Sequence, residues 1–349
     1  MKTLVQLLTG ICPRLRLFDM GRRLVEISTG QFLDIENGTS RYPWPLQQHA
    51  WIGVLLPWPQ TGEDTNIWFL KLPLDEQGIL NPFARDDLLR RLLERLGGTI
   101  GEQHHGEQLG DALEDNPYHF KPREALLAAF HARASRLLDA SPSRHYTHAL
   151  AYFKGELGWE QWPFVGYQGI ADVAARHDKD GNIDILTQAL PRLPERPLEA
   201  LCHCLENERV PAPIAVALAR RGARELRDLS PDGIVILASI IRGLSYSSAT
   251  QTRDAFVDRV LRHPVANDPA ILAAISGRAW EMLVKQRFAQ AFLERLAVNT
   301  GGQAQFNACL TDLLYLPGMR EPLLQVLRAP DRSQPLSLAV GRFFHRITG

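Results

Sequence analysis

The strongest constraint on the fold is a series of short amphipathic helices from about residue 122 onward. The first is outlined by apolar side chains at helical spacing: Leu126, Leu127, Phe130, Ala134, Leu137 and Leu138. Helices this short are stable only when packed against others. Prolines recur at Pro197, Pro231 and Pro264, at intervals of 34 and 33 residues. We therefore predict stacked helix pairs of a HEAT-like solenoid, with an irregular helical domain as the alternative.

The same periodicity predicts helices near 144–157, 166–177, 183–192, 197–207, 212–223, 232–243, 249–262, 269–282, 284–298, 303–315, 320–328 and 335–347. The apolar run 234–241 could by itself be a buried strand, but its helical neighbours favour a helix.

The first hundred residues have a different pattern. Thr3 precedes apolar residues at i, i+3, i+4 and i+7, which predicts a short capped helix from Leu4 to Ile11. Alternation and aromatic or branched residues predict two β-hairpins, within 14–27 and within 49–74. Further helices are predicted over 31–36 and 83–96, the latter ended by two glycines.

We therefore expect an α+β domain over residues 1–100 and a linker or long loop over 101–121, which is polar and rich in Gly and Pro. An all-α, HEAT-like domain over 122–349 follows. The protein would be mostly α overall.

The charges argue against a general nucleic-acid binder, because 39 basic residues balance 39 acidic ones. No apolar run is long enough for a membrane span, and the start of the chain lacks the cleavage site of an export signal. Four cysteines without a C-x-x-C pair fit a reducing cytoplasm better than a disulfide framework. Residues 200–349 nevertheless carry 18 basic and 13 acidic side chains.

Motifs for nucleotide binding and nucleophilic catalysis are missing: the chain has neither a Gly-Lys dipeptide nor a G-x-S-x-G elbow.

The segment 178–182 resembles the start of a calcium loop, but Ile183 and Ala189 stand where a glycine and a glutamate are needed. We read it as a turn in which Asp180 or Asn182 caps the next helix. A zinc site is not indicated: His145 and His148 lack an identifiable third ligand, and Cys202 and Cys204 lack the geometry to bind one ion. We predict no metal and no cofactor.

Two groups of side chains remain as binding candidates in the first domain. Asp75 and Glu76 follow a strand and could converge with Asp19, although we favour a polar turn that needs no functional explanation. Four tryptophans lie close together in sequence, and we favour core packing for this group. Trp44 and Trp58, each flanked by prolines, are the two most expected at the surface.

Three strings carry a resemblance: Phe18-Asp-Met-Gly-Arg-Arg23, Ile67-Trp-Phe-Leu-Lys-Leu-Pro-Leu-Asp-Glu-Gln-Gly-Ile-Leu80 and Ala84-Arg-Asp-Asp87. In these the sequence resembles, over its whole length, an uncharacterised bacterial family catalogued only as a domain of unknown function. The resemblance implies a bacterial, cytoplasmic protein and brings no catalytic residue or cofactor.

The leading hypothesis is a non-catalytic adaptor or scaffold that binds another protein, because solenoids present long binding surfaces. Five arginines from Arg320 to Arg346, against Glu321 and Asp331, would form a basic end for an acidic partner, with Arg342 and Arg346 as the residues to test. The first alternative is a metal-assisted hydrolase that uses Asp19, Asp75 and Glu76. The second is an RNA- or ribosome-associated protein, whose binding would fall steeply with salt.

Overall fold

The computed structural model describes residues 3–57, 65–95, 113 and 115–348, without the side chains of residues 65 and 346–348. The chain divides into two compact units. The N-terminal unit comprises Met1–Pro122 and Tyr315–Pro317, and the C-terminal unit comprises Arg123–Leu314 and Gly318–Gly349.

Both predicted hairpins of the N-terminal unit are confirmed, and they join into one antiparallel sheet in the order β2-β1-β3-β4. The strands are β1 (Arg16–Asp19), β2 (Val25–Ile27), β3 (His49–Pro57) and β4 (Thr65–Pro73). The helices are α1 (Leu4–Ile11), α2 (Thr29–Glu36) and α3 (Pro82–Arg95). The sequence did not indicate the central pairing of β1 with β3, in which Leu17 lies opposite Val54.

Apolar side chains of α1, the sheet and α3 form the core of this unit, with Leu8, Val54 and Leu88 fully buried. The predicted cap of α1 is confirmed: Thr3 accepts a hydrogen bond from the backbone N–H of Gln6 at 3.1 Å, and Gln6 completes a capping box. The buried carboxylate of Glu36 also accepts from the backbone N–H groups of Leu4 and Val5. A negative charge at a helix N-terminus is stabilising, so Glu36 ties α2 to α1.

Most of the predicted linker, residues 101–112 and 114, lies outside the described residues. Its end adds to the sheet, since the backbone of Lys71 in β4 donates to Tyr118 at 2.7 Å and Phe120 donates to Phe69 at 3.1 Å.

The C-terminal unit is helical, as predicted. Its helices are α4 (Glu124–Leu137), α5 (Tyr146–Phe153), α6 (Tyr167–Ala175), α7 (Asn182–Ala189), α8 (Glu195–Leu205), α9 (Ala212–Glu225), α10 (Gly233–Leu244), α11 (Thr250–Arg262), α12 (Pro269–Arg278), α13 (Gln286–Ala297), α14 (Gly302–Tyr315), α15 (Arg320–Arg328) and α16 (Gln334–Thr348). Short 3-10 segments occur at Trp159–Phe164, Pro264–Asn267 and Trp280–Val284.

Helices that alternate along the chain pack against each other. One row contains α4, α6, α8, α10 and α12, and a second contains α5, α7, α9, α11, α13 and α15. Each helix of a row contacts the next helix of that row, and α9 packs across onto α10.

Side chains at helix ends link the members of a row. In the second row, Arg224 in the last turn of α9 donates to the carbonyl of Pro191 at 2.9 Å, just after α7. Arg295 in the last turn of α13 donates to the carbonyls of Leu261 and Arg262 at 2.6 and 2.9 Å. The C-terminal ends of neighbouring helices in the row therefore lie side by side, and each arginine binds carbonyls at the negative end of a helix dipole.

Two local expectations were wrong. The predicted helix over 269–282 ends at Arg278, and the chain continues as a 3-10 segment. The helix after the 178–182 turn begins at Asn182, and neither Asp180 nor Asn182 caps it. Its N-cap is Gly181, in the left-handed region with φ 71°, while Asp180 instead accepts a hydrogen bond from the Tyr146 hydroxyl at 2.8 Å.

Candidate functional site

The last helices of the C-terminal unit enclose an open groove of about 450 Å³. It lies between the end of α13, the start of α14 and one side of α16. Its walls are formed by Ala297, Gly302, Gln303, Phe306, Gln334, Pro335, Leu338, Ala339 and Arg342.

The α16 wall is a single stripe of the helix. Pro335, Leu338, Ala339 and Arg342 stand at i, i+3, i+4 and i+7, which places them on one face over roughly 10 Å. Leu338 is 55% exposed, although leucine is usually buried. Pro335 and Leu338 are therefore the exposed apolar residues of the groove, Phe306 and Ala339 are nearly buried at its base, and the cation of Arg342 lies at one end.

The other side of α16 forms its attachment to the unit. Leu336, Val340 and Phe343 are buried, and the Phe343 ring meets that of Phe306 edge-on with 6.4 Å between centroids. The side-chain amide of Gln303 in α14 donates to the carbonyl of Ala339 at 3.0 Å. These contacts fix α16 beside α14 and keep the groove open.

Three exposed arginines lie in α15 and α16. Arg320, Arg328 and Arg342 are exposed and form no ion pair with any described residue. Arg332 differs, because its guanidinium donates to the carbonyl of Leu327. The side chain of Arg346, the other predicted binding residue here, lies outside the described part of the chain.

Asp19, by contrast, is a fully buried structural carboxylate. It accepts hydrogen bonds from the Tyr42 hydroxyl at 2.6 Å and from the backbone N–H groups of Arg22 and Arg23 at 3.1 and 3.3 Å. Burial raises the pKa of Asp19 to about 6, and these hydrogen bonds limit the rise. The side chain therefore fixes the connection from β1 to β2.

The structure does not bring the other predicted carboxylates to Asp19. Asp19 lies opposite Ile52, whereas Asp75 follows β4 beyond the row that pairs His49 with Pro73. Ile52 and His49 are three residues, or about 10 Å, apart along β3. Asp75 accepts from the backbone N–H groups of Gln77 and Ile79 at 2.8 and 2.9 Å, the pattern of a polar turn, and Glu76 is exposed beside it.

A search of the described residues finds no group of three His, Cys, Asp or Glu side chains placed to hold one metal ion. Cys202 and Cys204 are buried, and burial raises the pKa of both thiols, so they pack as small apolar groups. His148 is exposed, while His145 borders a second cavity of about 280 Å³. That cavity is also lined by His131 and Tyr167.

Trp44 is half-buried and packs against the core of the N-terminal unit, while Trp58 lies outside the described residues. Nothing in the sequence distinguished Trp51, whose indole N–H donates to the carbonyl of Leu46 at 3.0 Å. The ammonium group of Lys71 stands 4.4 Å from the centre of the Trp51 ring, a cation–π contact.

The sequence pattern indicated Arg342 as a binding residue but not Leu338, Gln303 or Phe306. One signal was available: α16 has apolar residues on more than one face, since Leu338 lies apart from the stripe of Leu336, Val340 and Phe343. A surface helix with apolar residues on two faces can pack one face against its own unit and offer the other to another molecule.

No described helix has both the length and the apolar character needed to cross a membrane. No curated protein and no solved structure matches the chain significantly. The family described as protein of unknown function (DUF3549) matches it over residues 1–344, almost from end to end. The resemblance noted in the sequence is therefore confirmed, and the chain belongs to the DUF3549 family.

Proposed function

We propose that the protein is a non-catalytic adaptor that binds an acidic partner protein through the last helices of its C-terminal unit. In this proposal the two rows of helices are a HEAT-like solenoid. Such stacks hold their exposed side chains at fixed spacing, which suits a binding surface for another protein.

Ion pairs between helices support a rigid surface. Glu206, which caps the end of α8, pairs with Arg242 of α10 at 3.2 Å and with Arg278 of α12 at 3.1 Å. The two arginines occur 36 residues apart, in the last turns of alternate helices. A regular spacing of this kind favours repeated structural units over an irregular bundle.

The carrying observation is that Arg320, Arg328 and Arg342, which are exposed in the last two helices, form no ion pair with any described residue. Several less exposed arginines of the unit are paired, as Arg176 is with Asp172 at 2.9 Å and Arg221 is with Glu225 at 3.3 Å. Arg209, Arg227 and Arg259 are also exposed without an ion pair to a described residue, so they provide a matched control. Exposed arginines without a partner are suited to pair with carboxylates of another protein and to speed its association.

The test is capture of the tagged full-length protein at near-physiological salt, followed by quantitative mass spectrometry. The test variant reverses the three charges: Arg320→Glu, Arg328→Glu and Arg342→Glu. The matched control reverses three other exposed arginines of the unit, Arg209, Arg227 and Arg259, so both variants change net charge equally.

We expect a stoichiometric protein partner that is lost from the test variant and kept by the control, also after nuclease treatment. Equal loss from both variants, or a protein that is captured alone, would contradict the proposal. Binding that disappears with nuclease would instead indicate RNA.

A further inference from the structure

We propose that the groove beside α16 binds one amphipathic helix of the partner, with apolar side chains in the groove and an acidic residue on Arg342. This inference rests on the proposed function and specifies its contact. It adds the structural class of the bound segment and the residue that selects its charge.

The dimensions of the groove favour a helix. The stripe from Pro335 to Arg342 spans eight residues, or about two turns and roughly 10 Å. A partner helix that presents apolar residues at i and i+4 and a carboxylate at i+7 covers the same length in two turns. Pro335 and Leu338 supply the exposed apolar surface that such residues would bury.

Arg342 gives the site its charge preference. It is exposed at the end of the stripe and has no ion pair with any described residue. A carboxylate about one turn beyond the apolar residues of the partner would reach it, and a lysine there would be repelled. A second copy of α16 fits poorly, because residues 334–348 contain no carboxylate that could pair with Arg342.

The groove is formed before binding. Gln303 and Phe343 fasten the far side of α16 to the unit, so the open stripe does not depend on a partner for its position. A preformed site avoids the cost of ordering its own helix on association.

The first experiment places a photo-crosslinking amino acid at Leu338 of the full-length protein in cells. The matched control carries it at Leu229, an exposed leucine that follows α9. We expect an adduct only at position 338, and we expect mass spectrometry to map it to a helical segment with Asp or Glu close to the crosslinked residue. No adduct beyond that of the control, or one to a basic segment, RNA or lipid, would overturn the proposal.

The second experiment uses the mapped segment as a synthetic peptide in fluorescence anisotropy. Arg342→Glu should weaken binding by at least about fivefold, and a peptide whose acidic residue is changed to lysine should regain affinity for that variant. Leu338→Ser, which removes the exposed leucine side chain from the groove and keeps Arg342, should weaken binding about tenfold. Unchanged affinity with Leu338→Ser would exclude the groove.

The two proposals fail differently. If the triple arginine variant loses its partner while Leu338→Ser keeps it, the adaptor proposal stands and the groove is wrong. If capture is insensitive to both variants, the basic end is not the binding surface.

Discussion

Glu206 and Arg242 are separated by 36 positions in the chain, yet their side chains form an ion pair of 3.2 Å. The Glu206 side chain is only 6% exposed, and its other carboxylate oxygen pairs with Arg278. One carboxylate therefore neutralises two arginines from two further helices.

We expect Glu206→Ala to lower the free energy of unfolding by about 2–4 kcal/mol, because it removes the carboxylate that pairs with the partly buried guanidinium groups of Arg242 and Arg278. Urea denaturation of the full chain measures this. Glu199→Ala is the control, since Glu199 pairs only at 3.9 Å with the exposed Arg196 and should cost less than about 0.5 kcal/mol. Equal effects would show that the double pairing is energetically unimportant.

Asp19 predicts a pH dependence of stability. Its pKa is raised from 3.8 to about 6 in the folded protein, so the stability it contributes is fully present below pH 4 and is lost as pH rises through 6. Relative to Asp19→Asn, the wild type should lose about 1–2 kcal/mol between pH 5 and pH 8. Denaturant titrations at several pH values check this; a constant difference between the two proteins would contradict it.

Two helical glycines should respond oppositely to alanine. A Cβ at Gly222 in α9 would lie 2.4 Å from the Phe256 ring, so Gly222→Ala should destabilise the protein by about 1–3 kcal/mol. A Cβ at Gly277 in α12 meets nothing within 4 Å, so Gly277→Ala should stabilise it by about 0.5–1 kcal/mol. Thermal unfolding of both variants gives the comparison, and the same sign for both would contradict the packing of α9 against α11.

The two apolar faces of α16 should also differ in stability effect. Leu336 is fully buried, so Leu336→Ala should cost about 2–5 kcal/mol. Leu338 faces the groove, so Leu338→Ser should change the free energy of unfolding by less than about 0.5 kcal/mol. A large loss from Leu338→Ser in urea denaturation would mean that Leu338 belongs to the core.

Local patterns predicted the elements well because their period is set by local geometry. The spacing of Leu4, Leu7 and Leu8 gave α1, and apolar residues at helical spacing gave α10, including the run that could have been a strand. The pairing of β1 with β3 was not predictable in this way, since each strand already had one hydrogen-bonded partner in its own predicted hairpin. Their joining depends on which strand edges meet in the folded unit.

The candidate site was predicted only in part. Net charge along the sequence drew attention to Arg342, but ion pairs depend on distant partners, and only the structure shows that this arginine has none among the described residues. Asp19 was predicted as a possible reactive carboxylate, whereas its neighbours Tyr42, Arg22 and Arg23 occupy its oxygens. A sequence gives the identity of an acid but not whether its hydrogen bonds are already made.

The shared carboxylate of Glu206 also affects how the helical unit opens. Fraying at the end of α8 would break the ion pairs of Glu206 with Arg242 and with Arg278 together. One local unfolding event would therefore destabilise the ends of α10 and α12 as well. The ends of α8, α10 and α12 should thus exchange their amide hydrogens as one cooperative group. A mechanical load at that edge is shared among three helices, so these helix ends resist separation together.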